Sequence, residues 1–244
     1  MAEQVALITG GGSGIGRALA RTLVAEGWSV AITGRRVEAL RETASLTADP
    51  NRVLVLASDV SDPAAAAEVV KATVERFSRL DALINNAGGA PLAPIDKTTP
   101  AMLQECFAVN ALGPGYLIAT AWPEFKRQAD AARTLGGPPR ATVVNVSSMA
   151  TKDPFAGFFA YAAAKAAVNL MAQSCAKEGR AIGIRAFAVA PGAVETPMLR
   201  ANFNEKMIPP ARALDPAAVA DTIAACLRGE RDADNGQVIW VPSP

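Results

Sequence analysis

The chain contains no histidine. That absence removes any Ser-His-Asp or Cys-His nucleophile system and every His-ligated zinc or iron, so no metal site is expected. Proton transfer near neutral pH must then fall to a perturbed Tyr, Lys, Cys or carboxylate. Cysteine is scarce too. Cys106, Cys175 and Cys226 are odd in number, far apart and without a C-x-x-C pair, which reads as small buried apolar residues in a reducing compartment and not as a disulfide framework. Neither sign of charge prevails, with 24 Lys+Arg against 23 Asp+Glu, so nothing draws the chain electrostatically to nucleic acid or an anionic membrane. Apolar runs stay well short of the roughly 18 residues of a spanning helix. The start, Met-Ala-Glu-Gln before Val5, lacks the basic and apolar regions of a signal peptide. A soluble, cytoplasmic protein is expected.

What the chain has is alternation. Its 244 residues are half apolar, enough to bury a core without staples. Short apolar runs occur at Val5–Thr9, Ser29–Thr33, Val53–Ala57, Ala82–Asn85, Thr142–Val146, Arg185–Val189 and Gln237–Val241. They are almost continuously apolar, as strands covered on both faces are. Helical candidates lie between them at Ile15–Gly27, Arg36–Leu46, Pro63–Phe77, Pro100–Phe125, Phe158–Glu178 and Pro216–Leu227. Asp62-Pro63 and Asp215-Pro216 each combine an N-cap with an N1 proline, and Gly27 and Gly179 stand where left-handed C-caps belong. Strict strand–helix alternation implies a single doubly wound α/β domain over residues 1–244, a seven-stranded parallel sheet with helices on both faces. Two stretches are less regular. Asp130–Pro139 reads as a surface loop, and residues 197–212, with Pro209-Pro210, as a substrate lid at the carboxyl end of a strand.

The first strand runs into Thr9-Gly10-Gly11-Gly12-Ser13-Gly14-Ile15-Gly16. Glycines let the backbone turn tightly and approach a pyrophosphate, and the helix that follows offers free N–H groups and a partial positive charge. Further on, Tyr161-Ala-Ala-Ala-Lys165 places a phenol and an ammonium on one helix face, one turn apart. A free tyrosine titrates near ~10, and a nearby cation lowers that by about 1–3 units, which would allow acid–base chemistry without histidine. Taken alone the pair equally describes an amphipathic helix facing solvent. It carries more weight because the chain has only two tyrosines. Just upstream, Asn145-Val146-Ser147-Ser148 ends a strand with two hydroxyls that suit either a substrate oxygen or backbone groups at the strand terminus.

Taken in order, these motifs resemble the short-chain dehydrogenase/reductase family along essentially the whole chain. They are Gly10-x-x-x-Gly14-x-Gly16, Asp59-Val60, Asn85-Asn86-Ala87-Gly88, Asn110, Asn145–Ser148, Tyr161–Lys165, and Pro191-Gly192 leading to Thr196. The resemblance implies a Rossmann-type fold and a catalytic set of Asn110, Ser148, Tyr161 and Lys165. Ser148 is taken over Ser147 because the family places its serine thirteen positions before the tyrosine. Tyr161 would exchange the proton with the substrate oxygen while Ser148 orients that oxygen. Lys165 would hold the nicotinamide ribose and depress the tyrosine pKa, and Asn110 would anchor a water of the relay. The resemblance further implies cofactor contacts from Gly10, Ser13, Gly14, Ile15 and Gly16 at the pyrophosphate. Asp59 and Val60 would meet the adenine, and Asn86, Ala87 and Gly88 its ribose. Pro191 and Gly192 would join the cofactor contacts, and Val194 and Thr196 would stand at the carboxamide.

After the second strand comes Gly34-Arg35-Arg36. Gly34 stands where NAD-preferring relatives have Asp, and Arg35 where NADP-preferring ones carry a base. Arginines opening a helix also oppose its dipole and call for an anion. NADP(H) is therefore expected over NAD(H), solvated arginines being the alternative. Ala90, Pro91, Met149, Phe155, Phe158, Met198, Leu199 and Phe203 are candidate pocket residues for a small carbonyl or alcohol substrate of modest polarity. The ending, Pro242-Ser243-Pro244, differs from the Asp-Gly-Gly frequent in the family. A homodimer through the Ala-rich face of residues 162–167 is expected, or the usual tetramer. Three readings stand: an NADP(H)-dependent carbonyl reductase or alcohol dehydrogenase (an NAD-preferring one included), a reductase of activated C=C bonds, and a catalytically silent nucleotide-binding protein on the same fold.

Overall fold

A computed structural model of the chain describes residues 4–135 and 141–244. The expected strands form: β1 Val5–Thr9, β2 Ser29–Gly34, β3 Val53–Ala57, β4 Ala82–Asn85, β5 Ala141–Val146, β6 Ile184–Pro191 and β7 Val238–Val241. All neighbours pair in parallel, in the order β3-β2-β1-β4-β5-β6-β7. The central strands β1, β4 and β5 are buried along their whole length, which is why their sequences do not alternate. Strand order reverses between β1 and β4. A crevice opens there at the strands' carboxyl ends, the place where this architecture takes ligands.

The helices are α1 Gly14–Ala25, α2 Val37–Ser45, α3 Pro63–Phe77, α4 Pro100–Phe107, α5 Gly113–Thr134, α6 Phe159–Gly179, α7 Pro197–Asn202 and α8 Pro216–Arg228. Successive strand residues face opposite sides. Ile8, Ile84 and Val144 therefore meet Leu19 and Leu23 of α1 and Val219 and Ile223 of α8, while Leu7, Leu83 and Val143 meet Val69 of α3, Leu117 and Phe125 of α5 and Ala172 of α6. Asp62 and Asp215 cap α3 and α8 as their sequences announce, accepting from Ala64 N and Ala217 N. Among the described residues no helix is long and apolar enough to cross a membrane.

Three expectations are corrected. The helix expected over Pro100–Phe125 is interrupted at Ala108–Leu112 by a widened π turn. Pro114 has no N–H to give the carbonyl of Asn110, so the α ladder cannot run through unchanged. The surface loop expected from Asp130 starts later, because α5 continues to Thr134; positions 136–139 lie outside the described residues. Gly179 is not a left-handed cap. Its φ is −79°, the chain passes on into a short 3-10 turn, and Gly183 takes the left-handed position at φ +71°.

Candidate active site

The crevice floor begins at the glycine turn. Gly10 has φ +67°, a conformation that side chains resist. At Gly16 a Cβ would stand 2.4 Å from the Gly10 carbonyl and 2.6 Å from Asn86 Nδ2, so a third glycine is needed to let α1 sit down on the turn. Asn86 braces this junction. Its Nδ2 donates to Thr9 O at 2.8 Å and Gly10 O at 3.3 Å, and its own N–H donates to Thr9 Oγ1 at 3.0 Å. Ser13 precedes α1 in extended conformation without capping it through its side chain, and the first turn holds no acidic residue. The first N–H groups of α1 thus remain available to an anion.

The reacting end is built by tying α6 to β5. Asn145 Nδ2 donates to Val168 O at 2.9 Å, Ser147 Oγ to Lys165 O at 3.3 Å and Lys165 Nζ back to Val146 O at 2.8 Å. Asn145 is itself held by Asn85 Nδ2 at 2.9 Å. Ser147 therefore serves the helix backbone, whereas the Ser148 hydroxyl accepts from Ala150 N at 3.1 Å and hydrogen-bonds the Tyr161 hydroxyl. Lys165 Nζ lies 5.8 Å from the Tyr161 ring centre, and Phe158 meets that ring edge-on at 5.4 Å.

Tyr161 was expected to be acidified by Lys165, and here the chain differs. Burial pushes the phenol up to about 12, outweighing the Ser148 hydrogen bond that lowers it. The same burial pulls Lys165 down to about 8. Both groups are sunk in apolar surroundings that penalise charge, and the ammonium's nearest partner is a backbone carbonyl instead of the phenol oxygen.

Asn110 stands behind this group, fully buried. Its Nδ2 donates to Gly89 O and Cys106 O, both at 2.8 Å, and its Oδ1 accepts from Gly89 N at 3.2 Å. The π turn aims that side chain and stitches the Gly88-Gly89 loop to α4.

Two cavities share this floor. One, about 610 Å³, is lined by Gly10, Ser13, Gly14, Ile15, Asn86, Ala87, Gly88, Ser148, Tyr161, Lys165, Pro191, Gly192, Val194 and Thr196. All the candidate pocket residues line it too except Pro91. The other, about 280 Å³, is lined by Arg35, Arg36, Asp59 and Val60 with Gly10, Ser13, Ala87 and Gly88. Pro91 is absent from the smaller cavity too, and of the expected catalytic and cofactor residues Gly16 and Asn110 line neither and act from behind. The sequence did not single out Asp153 and Pro242–Pro244 as lining residues, whereas Asn202, Met207, Ile208 and Arg212 fall within the stretch 197–212 that it marks as a lid on the strength of Pro209-Pro210. Asp59 is held below the usual carboxylate range by the Ser61 backbone and side chain, with Arg35 adding to it.

Residues 4–207 match the short chain dehydrogenase family model. The chain belongs to this family. A probable 2,4-dienoyl-CoA reductase of Bacillus subtilis is 34% identical over 197 residues, 80% of this chain and 74% of the relative. A putative ketoacyl reductase of the granaticin polyketide synthase of Streptomyces violaceoruber is 32% identical, covering 97% and 94%. Among solved structures, a 3-ketoacyl-(acyl-carrier-protein) reductase of Brucella melitensis complexed with NADH superposes with a TM-score of 0.88 at 26% identity, over 99% and 98% of the two chains. This short-chain dehydrogenase is an NAD(P)-dependent oxidoreductase acting on CH–OH/C=O groups. Its site fits the dinucleotide. The first N–H groups of α1 are uncapped by side chain, no side chain fills the turn at Gly10 or Gly16, and one continuous floor links the arginine end to Tyr161.

Proposed function

We propose that this short-chain dehydrogenase is an NADP(H)-preferring reductase of ketones, or dehydrogenase of the matching secondary alcohols, with Tyr161 as general acid–base group. The observation that carries the reading is the meeting of the Tyr161 and Ser148 hydroxyls on the floor of a 610 Å³ cavity that Lys165 and the glycine turn also line. When bound, the nicotinamide supplies or takes the hydride. Ser148 fixes the substrate oxygen by hydrogen bond, and Tyr161, neutral across the working range, donates its proton to that oxygen as charge develops. Lys165 supports the resulting phenolate by its charge and presents its remaining N–H groups to the ribose. Asn110 positions the Gly88-Gly89 loop beside Lys165, so its effect on the reaction passes through that loop.

The adenosine end supports NADP(H). Arg35 and Arg36 line the smaller cavity, are exposed and, among the described residues, make no ion pair. A 2′-phosphate there gains charge-assisted bonds that a 2′-hydroxyl does not. Gly10, Ser13, Gly14, Ile15 and Gly16 take the pyrophosphate, and Asp59, Val60, Asn86, Ala87 and Gly88 the adenosine. Pro191, Gly192, Val194 and Thr196 take the carboxamide, and residues 197–212 close over the substrate as a lid. The strip Phe159, Ala163, Ala166 and Leu170 on α6 is exposed and suits a second copy of the chain as a homodimer. The three unpaired buried cysteines suit a reducing, cytoplasmic setting.

NADPH oxidation by the purified chain against aldehydes, diketones, quinones, 3-oxoacyl thioesters and ketosteroids tests the reading, with NADH in parallel. The likeness to a probable dienoyl-CoA reductase keeps C=C reduction as the second reading. Product analysis separates the two: an alcohol supports ours, and a saturated carbonyl from an unsaturated probe overturns it.

A further inference from the structure

The cavity above Tyr161 is walled by Phe155, Phe158, Phe203, Met198, Met207 and Ile208. Phe158 and Phe203 stack at 6.3 Å and extend the apolar surface away from the reacting hydroxyl. Such a wall accepts the body of a ketone and is indifferent to its charge. Besides Tyr161 and Lys165, two ionisable side chains interrupt it, Arg212 and Asp153. Among the described residues neither makes a side-chain hydrogen bond or ion pair, with each other or with anything else. The guanidinium groups of Arg17, Arg79, Arg185 and Arg200, by contrast, are all paired with carboxylates.

Arg212 hangs from a fixed root. Its N–H donates to Pro209 O at 2.8 Å, closing the turn Pro210–Arg212, and two prolines restrict the backbone before it. Two residues later Leu214 pairs with Val194 as a strand would. Leu214 N donates to Ala193 O at 2.8 Å, and Glu195 N donates to Leu214 O at 2.9 Å. The arginine is therefore mounted on the segment proposed to contact the carboxamide. A planar cation on a long stem, anchored at a set place and left without a protein anion, is suited to a carboxylate or phosphate.

We propose that Arg212 is a specificity-determining residue that selects ketones carrying a fixed negative charge at the far end of an apolar body. This rests on the ketone-reductase reading and deepens it. Asp153 would repel such a charge, so the anion sits on the Arg212 side of the mouth. If Asp153 ruled selection instead, amine-bearing ketones would be preferred.

The test compares matched probes on the full chain with NADPH: 3-benzoylpropionate against its methyl ester for a carboxylate, and acetoacetyl-CoA against neutral acetoacetyl-N-acetylcysteamine for phosphates. The expected result is a kcat/KM ratio favouring the charged member of at least one pair. That ratio falls about tenfold or more in Arg212→Glu, with Arg212→Lys in between; which pair responds identifies the anion. A ratio near unity in the parent chain, a ratio unmoved by Arg212→Glu, or preference for amine-bearing ketones overturns the inference while leaving the reductase reading intact. Should no ketone be reduced at all, the reductase reading fails. Calorimetric binding of 3-benzoylpropionate and of CoA to the NADPH-loaded chain still decides the role of Arg212, since equal affinity for both in parent and Arg212→Glu overturns it and weaker binding of either in the variant supports it.

Discussion

On the floor of the crevice Lys165, Ser147 and Ser148 all have protein partners, as Asn110 does behind them, and each sits on α6, just past the end of β5 or in the turn between α4 and α5. At the rim the side chains of Arg35, Arg36, Asp153 and Arg212 make no hydrogen bond or ion pair among the described residues, Arg35 acting on Asp59 only through its charge. The contrast separates two tasks. Groups already oriented need no reorganisation when charge develops on the substrate, so the floor governs rate. Groups left unpaired gain most when a ligand completes them, so the rim governs which ligand is chosen. Substitutions on the floor should change kcat with binding intact, and substitutions at the rim should change ratios between ligands.

The largest effect is expected at Tyr161. Phenylalanine keeps the ring against Phe158 and removes only the acid, so kcat should fall about 10²- to 10⁴-fold. Bound NADPH, followed by its fluorescence, should be unaffected. Turnover at the parent rate would break the division, because the floor would then hold no acid. Next in size is Arg35→Asp. The NADPH-to-NADH ratio of kcat/KM should drop by about ten- to 150-fold, the worth of one charge-assisted bond. An unmoved ratio measured with both cofactors would return Arg35 to plain solvated surface.

A third prediction concerns pH. Lys165 is ionised below about 8 and Tyr161 keeps its proton up to about 12. Raising the pH through about 8 neutralises the cation that supports the departing phenolate charge, so the rate of reduction should fall across that range. Stability moves the other way. The folded pKa of Lys165 lies below the ordinary lysine value of 10.5, so between about 8 and 10.5 the unfolded chain binds the proton more tightly and stability rises with pH. Melting curves of the parent and of Lys165→Met should differ by a term that shrinks over this window. A difference that grows would reverse the sign argued here.

What the sequence makes legible follows the same division. The strands show because both faces are covered, so β1 and β5 read as almost continuously apolar runs. The glycine turn and the Tyr161–Lys165 spacing are local patterns that need no tertiary information. The sign of the phenol's shift was not legible, since it depends on burial beneath Phe158 and the helix, which spacing does not reveal. Ser147 and Ser148 are interchangeable as letters; the family's spacing to the tyrosine picks Ser148, and the physical reason shows only once α6 offers its Lys165 carbonyl to Ser147. The π turn hides inside a helical periodicity; Pro114 was its one visible mark. Arg212 and Asp153 reach one cavity from stretches 59 residues apart in the sequence, a juxtaposition that no local pattern contains.

The smallest effect is expected where the proposed lid is clasped. Arg200 on α7 pairs with Glu195 through two N–H groups, with Nε at 2.7 Å from Oε1, and also donates Nη1 to Ile208 O at 2.8 Å. One guanidinium thus joins Glu195, next to the residues proposed to meet the carboxamide, to Ile208 in the proposed lid. Its setting is open to solvent, where ion pairs are screened and weak. Arg200→Ala should therefore raise KM for the ketone by only a few-fold and leave kcat nearly unchanged, because the floor is untouched. Added salt should carry the parent chain toward the variant's KM, since screening loosens the same pair that the substitution removes. A fall in kcat of the size expected for Tyr161→Phe would instead mean that the clasp holds the reacting geometry, and the line between floor and rim would have to be drawn through α7.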